Sequence, residues 1–316
     1  MITDGANLMN KESTIAIFGS GGLAGGAITR RLLWDGHKKL LTPRSSVLDL
    51  REQSDVRAWF KQHKVDYVIL AAALVGGIME NKTRKAEFLH DNLMMQCNVI
   101  DSAYYSGVKK LLFLGTSCIY PAGRQHPLKE DELLTGALEP TNDAYAIAKI
   151  AGIKQCDFYR EQYGFDAISL MPPNLYGPGD HFKGNGGHVL AMLMNRFHEA
   201  KMAGDKSVTC WGDGTPMREF LFSDDLADAC LFFMDNYSEA GHINTGTGED
   251  ITIKHLAESI AKVVGFEGEI LWDTEKPNGN PRKLLDSTRA NALGWSPKTS
   301  FEEGLKQTYS WYLQNV

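Results

Sequence analysis

The stretch Thr14-Ile-Ala-Ile-Phe-Gly-Ser-Gly-Gly-Leu-Ala-Gly25 joins a short apolar run directly to a cluster of glycines. The apolar run is rich in β-branched residues, which predicts a buried parallel strand. Residues 22–34 then have a helical pattern. The glycines therefore lie where a strand turns into a helix, as in the first part of a βαβ unit.

Three of these glycines, Gly19, Gly22 and Gly25, are spaced three residues apart. Glycine permits a tight turn and lets the backbone approach a pyrophosphate closely. The helix that follows offers unpaired N–H groups and the positive end of its dipole to the same group. A glycine turn that only packs a helix on a strand is the alternative, but this position at the start of a βαβ pattern favours dinucleotide binding.

Strands and helices alternate through the first 170 residues. Further strands are predicted at residues 39–42, 66–71, 110–115 and 166–170, and further helices at residues 84–106 and 143–163. This alternation predicts an α/β fold of the Rossmann type, with a doubly wound parallel sheet. The later part has more loops, with short strands at residues 208–211 and 269–271 and helices at residues 252–264 and 300–313. It predicts a smaller α+β lobe over the carboxyl edge of the sheet, where ligands of such folds bind.

These patterns divide the chain into three parts. Residues 1–12 form a polar N-terminal extension, residues 13–175 an NAD(P)-binding Rossmann domain, and residues 176–316 mainly a substrate-binding lobe. Residues 221–246 are expected to return to the Rossmann domain.

The composition excludes several classes of protein. With 43% hydrophobic and 23% charged residues among 316, the chain is typical of a globular enzyme. Its net charge of −6 argues against a nucleic-acid partner. No apolar run is long enough to span a membrane, and the N-terminus lacks the apolar segment of a secretory signal. The five scattered cysteines show no metal-like spacing, so we expect reduced thiols, a cytoplasmic location and no metal site.

Tyr145 and Lys149 lie four residues apart in a predicted helix, so their side chains share one helix face. A nearby ammonium and the positive charge of a nicotinamide are expected to lower the pKa of the tyrosine and prepare it for proton transfer. Thr116 and Ser117, at the end of the fourth strand, supply a hydroxyl partner. A Tyr-x-x-x-Lys pair alone is common, but with the glycine turn and the hydroxyls in this order it resembles the extended short-chain dehydrogenase/reductases.

Arg44 indicates the choice of cofactor. The second predicted strand ends near it, with no acidic residue at that point. An acid there binds the ribose hydroxyls of NAD, whereas an arginine favours the 2′-phosphate of NADP. We therefore expect NADP, with NAD as the alternative cofactor and a solvated surface arginine as the other interpretation.

Several longer stretches resemble the GDP-L-fucose synthase family, and the resemblance runs from about residue 14 to residue 314. They are residues 70–78 (LAAALVGGI), 114–121 (LGTSCIYP), 139–153 (EPTNDAYAIAKIAGI), 174–178 (NLYGP), 211–220 (WGDGTPMREF) and 281–286 (PRKLLD). The resemblance implies an enzyme that epimerises GDP-4-keto-6-deoxy-D-mannose at C3 and C5. Reduction at C4 with NADPH then gives GDP-L-fucose.

The same resemblance assigns two groups of catalytic residues. Tyr145, Lys149 and Thr116 would reduce C4, and Thr116 keeps the hydroxyl of the serine that the family usually has there. Cys118 would be the base that removes the acidic protons beside the keto group, and His188 the acid on the other face of the sugar. Without the resemblance, we would interpret Cys118 as a small buried residue after a strand. We would interpret His188 as a hydrogen-bonded residue at the start of a helix.

Binding residues are also implied by the resemblance. The cofactor would be bound by Gly19, Gly22, Gly25, Arg44, Ala71, Lys149, Pro172, Asn174, Leu175 and His188. The GDP-sugar would be bound by Arg196, Arg218 and Lys283 at its phosphates or sugar, and by Trp211 along the nucleotide sugar. Arg196 fits a solvated helix face almost as well. The family further implies a homodimer formed by the helices of residues 84–106 and 143–163.

Two departures from the family keep other readings open. Ser20 and Gly21 replace a His-Arg pair whose arginine helps to hold the NADP phosphate, and Pro173 replaces a threonine beside the nicotinamide. A related GDP-4-keto-sugar epimerase/reductase, with a 3,6-dideoxy or heptose substrate, is therefore the alternative.

Two more distant alternatives are disfavoured. A nucleotide-sugar 4-epimerase would not need the pair Cys118 and His188, and a dehydratase would have Asp-Glu where this chain has Ser117-Cys118. A non-enzymatic dinucleotide-binding protein would commonly have lost Tyr145 or Lys149.

Overall fold

The computed structural model describes residues 9–184, 187–276 and 278–316. Most of the predicted N-terminal extension, residues 1–8, lies outside the described residues. The end of that extension is not a free polar segment, because Met9 is buried against the apolar core. Its backbone N–H donates to Asp235 Oδ1 at 3.1 Å.

The strands of the described chain are β1 (Thr14–Phe18), β2 (Lys39–Leu41), β3 (Tyr67–Leu70), β4 (Lys110–Leu114), β5 (Asp166–Met171), β6 (Asn174–Tyr176), β7 (Ser207–Trp211), β8 (Met217–Arg218), β9 (Phe220–Phe222), β10 (His242–Asn244), β11 (Ile251–Thr252), β12 (Glu269–Asp273) and β13 (Arg282–Lys283). The helices are α1 (Leu23–Trp34), α2 (Gln53–Gln62), α3 (Ile78–Thr83), α4 (Lys85–Tyr105), α5 (Asp143–Tyr163), α6 (Val189–Ala203), α7 (Ser223–Asn236), α8 (Ile253–Val264), α9 (Thr288–Ala292) and α10 (Phe301–Asn315).

A parallel six-stranded sheet lies at the centre, in the order β10-β5-β4-β3-β1-β2. Strands β3 and β4 are buried along their whole length, as expected when helices cover both faces. The apolar side chains of α2, α4 and α5 pack on one face, and those of α1 and α7 on the other. The predicted doubly wound parallel sheet is confirmed.

A third apolar cluster lies outside this sheet. It is formed mainly by α6, α8, α10, β7 and β9, all of which follow residue 175. Three small sheets, β11-β8-β13, β12-β7 and β6-β9, accompany it. Strand β10, which belongs to the segment of residues 221–246, pairs with β5 in the central sheet. The division of the chain into functional domains stays a prediction.

The predicted elements lie close to the observed ones, and α5 has the predicted bounds. Helix α2 was not predicted, since only Val56 and Phe60 are buried in it and its apolar period is therefore short.

Backbone contacts close the glycine turn. Gly19 has a φ of +91°, and a Cβ on it would lie 2.5 Å from the backbone nitrogen of Ala72. A Cβ on Gly25 would lie 2.2 Å from the Gly19 carbonyl oxygen. Around Gly22 there is space, since a Cβ would meet only that same oxygen, at 3.6 Å. The turn is therefore tight toward β3 and open over the first turn of α1.

We expect Gly25→Ala and Gly26→Ala, neighbouring substitutions in α1, to have opposite effects on the free energy of unfolding. Alanine at residue 25 would push the Gly19 carbonyl out of place and cost about 1–3 kcal/mol. Alanine at residue 26 would meet its nearest atom at 3.5 Å, so its better helix propensity should add up to about 1 kcal/mol. Urea unfolding followed by circular dichroism measures both, and a Gly25→Ala protein as stable as the wild type would refute the close packing.

Candidate active site

The predicted site residues gather at the carboxyl edge of the central sheet. The glycine turn follows β1, Ala71 follows β3, Thr116 and Cys118 follow β4, and Pro172 follows β5. The sheet order reverses between β1 and β3, which is where doubly wound folds bind ligands. Ala71 and Pro172 take part through their backbones, which bond to the Phe18 carbonyl and to the Ser117 N–H respectively.

Cys118 lies in a short 3-10 turn directly after β4 and is in contact with a lysine. The Lys283 ammonium on β13 donates a hydrogen bond to Cys118 Sγ at 3.0 Å. Thr116 begins the turn, and its Oγ1 accepts from the Cys118 backbone N–H at 3.2 Å. Burial is the largest effect and would raise the pKa of the Cys118 thiol, but the Lys283 ammonium, with help from Thr116 and His188, outweighs burial and lowers it. The sequence did not predict this contact, since Lys283 was expected to meet the substrate's phosphates or sugar.

His188 stands at the start of α6 and is paired with Asp180. Its Nδ1 lies 3.5 Å from Asp180 Oδ1, and 43% of its side chain is exposed. Asp180 raises the pKa of the imidazole against an opposing effect of burial, and Cys118 adds to the rise. Cys118 and His188 also act on each other, since Cys118 raises the pKa of the imidazole and His188 lowers the pKa of the thiol. Asp180 was not singled out from the sequence, although it lies in the glycine-rich segment before His188.

Tyr145 and Lys149 share a face of α5, as their spacing predicts. The Lys149 ammonium lies 5.9 Å from the centre of the Tyr145 ring and donates to the Leu114 carbonyl at 2.8 Å. Burial lowers the pKa of Lys149 to about 7. The pKa of Tyr145 is raised, by burial first and by Cys118 second. The expected lowering, which also invokes the positive charge of a bound nicotinamide, stays a prediction.

Arg218 belongs to the same cluster of charges. It lies on β8, directly beside Lys283 in the parallel pairing of β8 with β13. Burial lowers the pKa of Arg218, and the charges of Cys118 and Glu139 oppose that effect. Lys283 thus contacts the Cys118 thiol directly, and Arg218 and His188 interact with it electrostatically.

Two of the predicted substrate residues, Arg196 and Trp211, lie on or beside β7, apart from that cluster. Arg196 on α6 donates to the Thr209 carbonyl at 2.9 Å. Trp211, at the end of β7, is largely exposed, and the Lys276 ammonium lies 5.9 Å from its ring centre. They form a separate basic and aromatic patch.

The remaining predicted cofactor residues are spread along the sheet edge. Arg44 is exposed three residues after β2, and its guanidinium makes no hydrogen bond or ion pair with any described residue. Asn174 begins β6, and its side-chain amide donates to the backbone carbonyl of Glu219 at 2.8 Å. Leu175 packs beside the core of the α1 and α7 face. Glu219, a fully buried carboxylate, had not been singled out from the sequence.

Within residues 9–184, 187–276 and 278–316, no group of His, Cys, Asp and Glu is arranged to hold a metal ion. None of the helices there has the length and apolar character needed to cross a bilayer.

The chain is similar to known proteins over nearly its whole length. Residues 15–246 match the NAD dependent epimerase/dehydratase family. GDP-L-fucose synthase 1 of Arabidopsis thaliana is 55% identical over 311 residues, which cover 98% of this chain and 96% of that protein. The GDP-L-fucose synthase of Escherichia coli (strain K12) is 48% identical over 316 residues, covering 97% and 98%. A solved GDP-L-fucose synthetase from Naegleria fowleri bound to NADP has a TM-score of 0.91 at 30% identity, covering 99% and 96%.

The match to the family and the identity to these relatives agree with the glycine turn, the Tyr145–Lys149 pair and the Cys118 site. The chain belongs to the NAD-dependent epimerase/dehydratase family and, within it, to the group of the GDP-L-fucose synthases.

Proposed function

We propose that this protein epimerises GDP-4-keto-6-deoxy-D-mannose at C3 and C5 and reduces the product at C4 with NADPH, giving GDP-L-fucose. The observation that carries the proposal is a thiol held against an ammonium, Cys118 with Lys283 at 3.0 Å, beside a carboxylate-paired His188. A plain reductase needs only Tyr145 and Lys149. The relatives named GDP-L-fucose synthase support the same activity.

The glycine turn fits a dinucleotide. Side chains at Gly19 and Gly25 would collide with backbone, whereas the space around Gly22 at the start of α1 is open to an anion. Arg44 is a free guanidinium that suits a 2′-phosphate. When bound, NADPH supplies the hydride for C4.

Epimerisation needs a base, and Cys118 is suited to that role. Protons at C3 and C5 are acidic because the carbanion formed there delocalises into the C4 carbonyl as an enolate. The lowered pKa of the Cys118 thiol favours the thiolate, which takes the proton. The Lys283 ammonium stabilises the thiolate before the proton moves.

His188 is suited to deliver a proton to the opposite face of the same carbon. Its raised pKa favours the protonated imidazole, and the Asp180 carboxylate stabilises that charge. After one inversion Cys118 bears a proton and His188 lacks one. Both side chains are partly exposed, so water can restore them before the second inversion.

Reduction at C4 uses Tyr145 as the proton donor. The raised pKa keeps the phenol protonated until negative charge develops on the C4 oxygen. Lys149 is fixed by the Leu114 carbonyl, and its ammonium form stabilises the phenolate that results. The Thr116 hydroxyl is the second hydrogen-bond partner for the C4 oxygen.

The GDP part of the substrate is assigned to the basic patch around β7. Arg196 of this patch and Arg218, which lies on β8 in the Cys118 cluster, offer guanidinium forks to the two phosphates, and Trp211 offers a flat apolar face to the nucleotide. The contact of Lys283 with Cys118 favours a place for that ammonium beside the sugar rather than beside the phosphates. The cofactor would then be bound by residues 13–175 together with residues 221–246. The GDP-sugar would be bound by most of residues 176–316.

We also assign the enzyme to the cytoplasm. All five cysteines lie within the described residues and none forms a disulfide, which a reducing compartment preserves. Cell fractionation tests this location.

Two substitutions should separate the two chemistries. Cys118→Ser should lower deuterium exchange from solvent into C3 and C5 by about a hundredfold or more, because a serine hydroxyl is too weak an acid to be ionised. Tyr145→Phe should lower NADPH oxidation by about a hundredfold or more while exchange persists. Mass spectrometry follows exchange, and the absorbance of NADPH follows reduction.

The wild-type protein is the reference for both assays. The contrary result is a wild-type enzyme that oxidises NADPH with a GDP-4-keto-heptose and not with GDP-4-keto-6-deoxy-D-mannose. That result would reject GDP-4-keto-6-deoxy-D-mannose as the substrate in favour of the heptose. Undiminished exchange in Cys118→Ser would reject Cys118 as the base.

Arg44→Ala should weaken the use of NADPH alone. Loss of one charged hydrogen bond to the 2′-phosphate costs about 1.5–3 kcal/mol, so the KM for NADPH should rise about 10- to 100-fold. The KM for NADH, which lacks that phosphate, serves as the internal control and should stay unchanged. Equal increases for the two cofactors would show that Arg44 does not read the phosphate.

We further propose a homodimer formed by α4 and α5. These helices pack side by side, and apolar side chains remain exposed on them, including Ile147 and Phe158, the latter 59% exposed.

Phe158→Glu should convert the dimer to a monomer by placing a charge in the contact. Trp34→Glu on α1, at 88% exposure, is the matched control and should leave the dimer intact. Light scattering after size exclusion measures the mass, and a monomeric wild type would reject the proposal.

A further inference from the structure

Glu219 is a buried carboxylate to which the chemistry above gives no role. It lies between β8 and β9 and is fully buried. Its Oε2 accepts from the Leu285 N–H at 2.9 Å, and its Oε1 accepts from the Gly248 N–H at 2.9 Å and from the Thr247 hydroxyl at 3.3 Å. The carboxylate therefore joins two segments that are distant in sequence.

One of these segments carries Lys283. Strands β8 and β13 pair in parallel over two positions, Met217 with Arg282 and Arg218 with Lys283. The strand pairing ends there, and the Glu219 side chain makes the next contact, with Leu285. Lys283 is thus held on one side by the strand pairing and on the other by the carboxylate.

The second segment supports the same strand from the other end. Asp250 follows the loop of Thr247 and Gly248, and it accepts from Arg282 Nε at 2.6 Å and Nη2 at 3.2 Å. Since Glu219 holds this loop and also Leu285, it fixes the backbone on both sides of Lys283. Lys283 in turn donates to Cys118 Sγ at 3.0 Å.

The pocket around Glu219 suits a carboxylate. Three donors converge on two oxygens that only accept, and a Cβ on Gly246 would lie 2.2 Å from Oε1, so the loop packs directly on the carboxylate. Burial raises the pKa of Glu219 to about 7, and the donors oppose that rise. An amide would set an N–H group against one of the donors and lose that bond.

We propose that Glu219 is a positioning residue for epimerisation, which holds the Lys283 ammonium in hydrogen-bond contact with Cys118 Sγ. The proposal rests on the proposed function in one respect, namely that Cys118 is the base. The ion pair itself requires no substrate, so it can be tested in its absence.

The test is the rate of Cys118 alkylation by iodoacetamide as a function of pH. All variants carry Cys97→Ser, because Cys97 is exposed and would react, whereas Cys156, Cys210 and Cys230 are buried. In Glu219→Gln the apparent pKa of Cys118 should rise, so that alkylation near neutral pH slows by about tenfold. Glu249→Gln, the same change at an exposed residue of the neighbouring loop, is the matched control and should react like the parent.

A double-mutant cycle with Lys283→Met separates positioning from general damage. If Glu219 acts through Lys283, Glu219→Gln should change the alkylation profile no further once the ammonium is gone. Additive effects of the two substitutions would overturn the proposal. So would a folded Glu219→Gln protein whose profile equals that of Glu249→Gln.

Thr247→Val covers the case in which Glu219→Gln does not fold. It removes one of the three hydrogen-bond donors to the Glu219 carboxylate. The pH profile of Cys118 alkylation should then shift in the same direction by a smaller amount. An unchanged profile would count against the proposal. With substrate, Glu219→Gln should slow deuterium exchange at C3 and C5 and leave the KM for NADPH unchanged. A shifted alkylation profile in a protein that does not turn over the GDP-sugar would reject the proposed function and leave the role of Glu219 intact.

Discussion

Backbone-to-backbone contact at the glycine turn is the constraint on which the arrangement of this molecule depends. Gly19 lies against Ala72, and Gly25 lies against the Gly19 carbonyl, with no space for a side chain at either position. These contacts bring β1, the start of α1 and the end of β3 together at one point. Because neighbouring parallel strands end at the same edge, Thr116 and Cys118 after β4 lie at that edge too.

The pKa values of two side chains, Cys118 and His188, are shifted in opposite directions at this edge. Cys118 loses its proton more easily because of Lys283, and His188 keeps its proton because of Asp180. Each partner comes from a different part of the chain, so the two shifts have separate origins. The interaction between Cys118 and His188 then reinforces both, since a thiolate and an imidazolium stabilise each other. This arrangement supports the proposed roles of Cys118 as the base and His188 as the acid.

The sequence predicted the parts of this protein that depend on local pattern. The strands, the helix of Tyr145 and Lys149, and the glycine turn could be read from periodicity and spacing, since these depend on residues near each other in the chain. The Lys283–Cys118 contact could not, because 165 residues separate the two. The effect of burial on the pKa of Tyr145 could not be predicted either, for a related reason. Burial depends on the whole tertiary structure, whereas the spacing of Tyr145 and Lys149 shows only that they are neighbours.

The late position of Lys283 in the chain has a consequence for biosynthesis. Strand β10, which completes the central sheet, ends at Asn244, well before Lys283 leaves the ribosome. During that interval the sheet edge, the Tyr145 helix and Cys118 can already be in place, but no ammonium lies beside the thiol. An un-ionised thiol reacts slowly with oxidants and electrophiles. The order in which the chain emerges therefore keeps the most reactive group of the molecule quiet until the fold around it is finished.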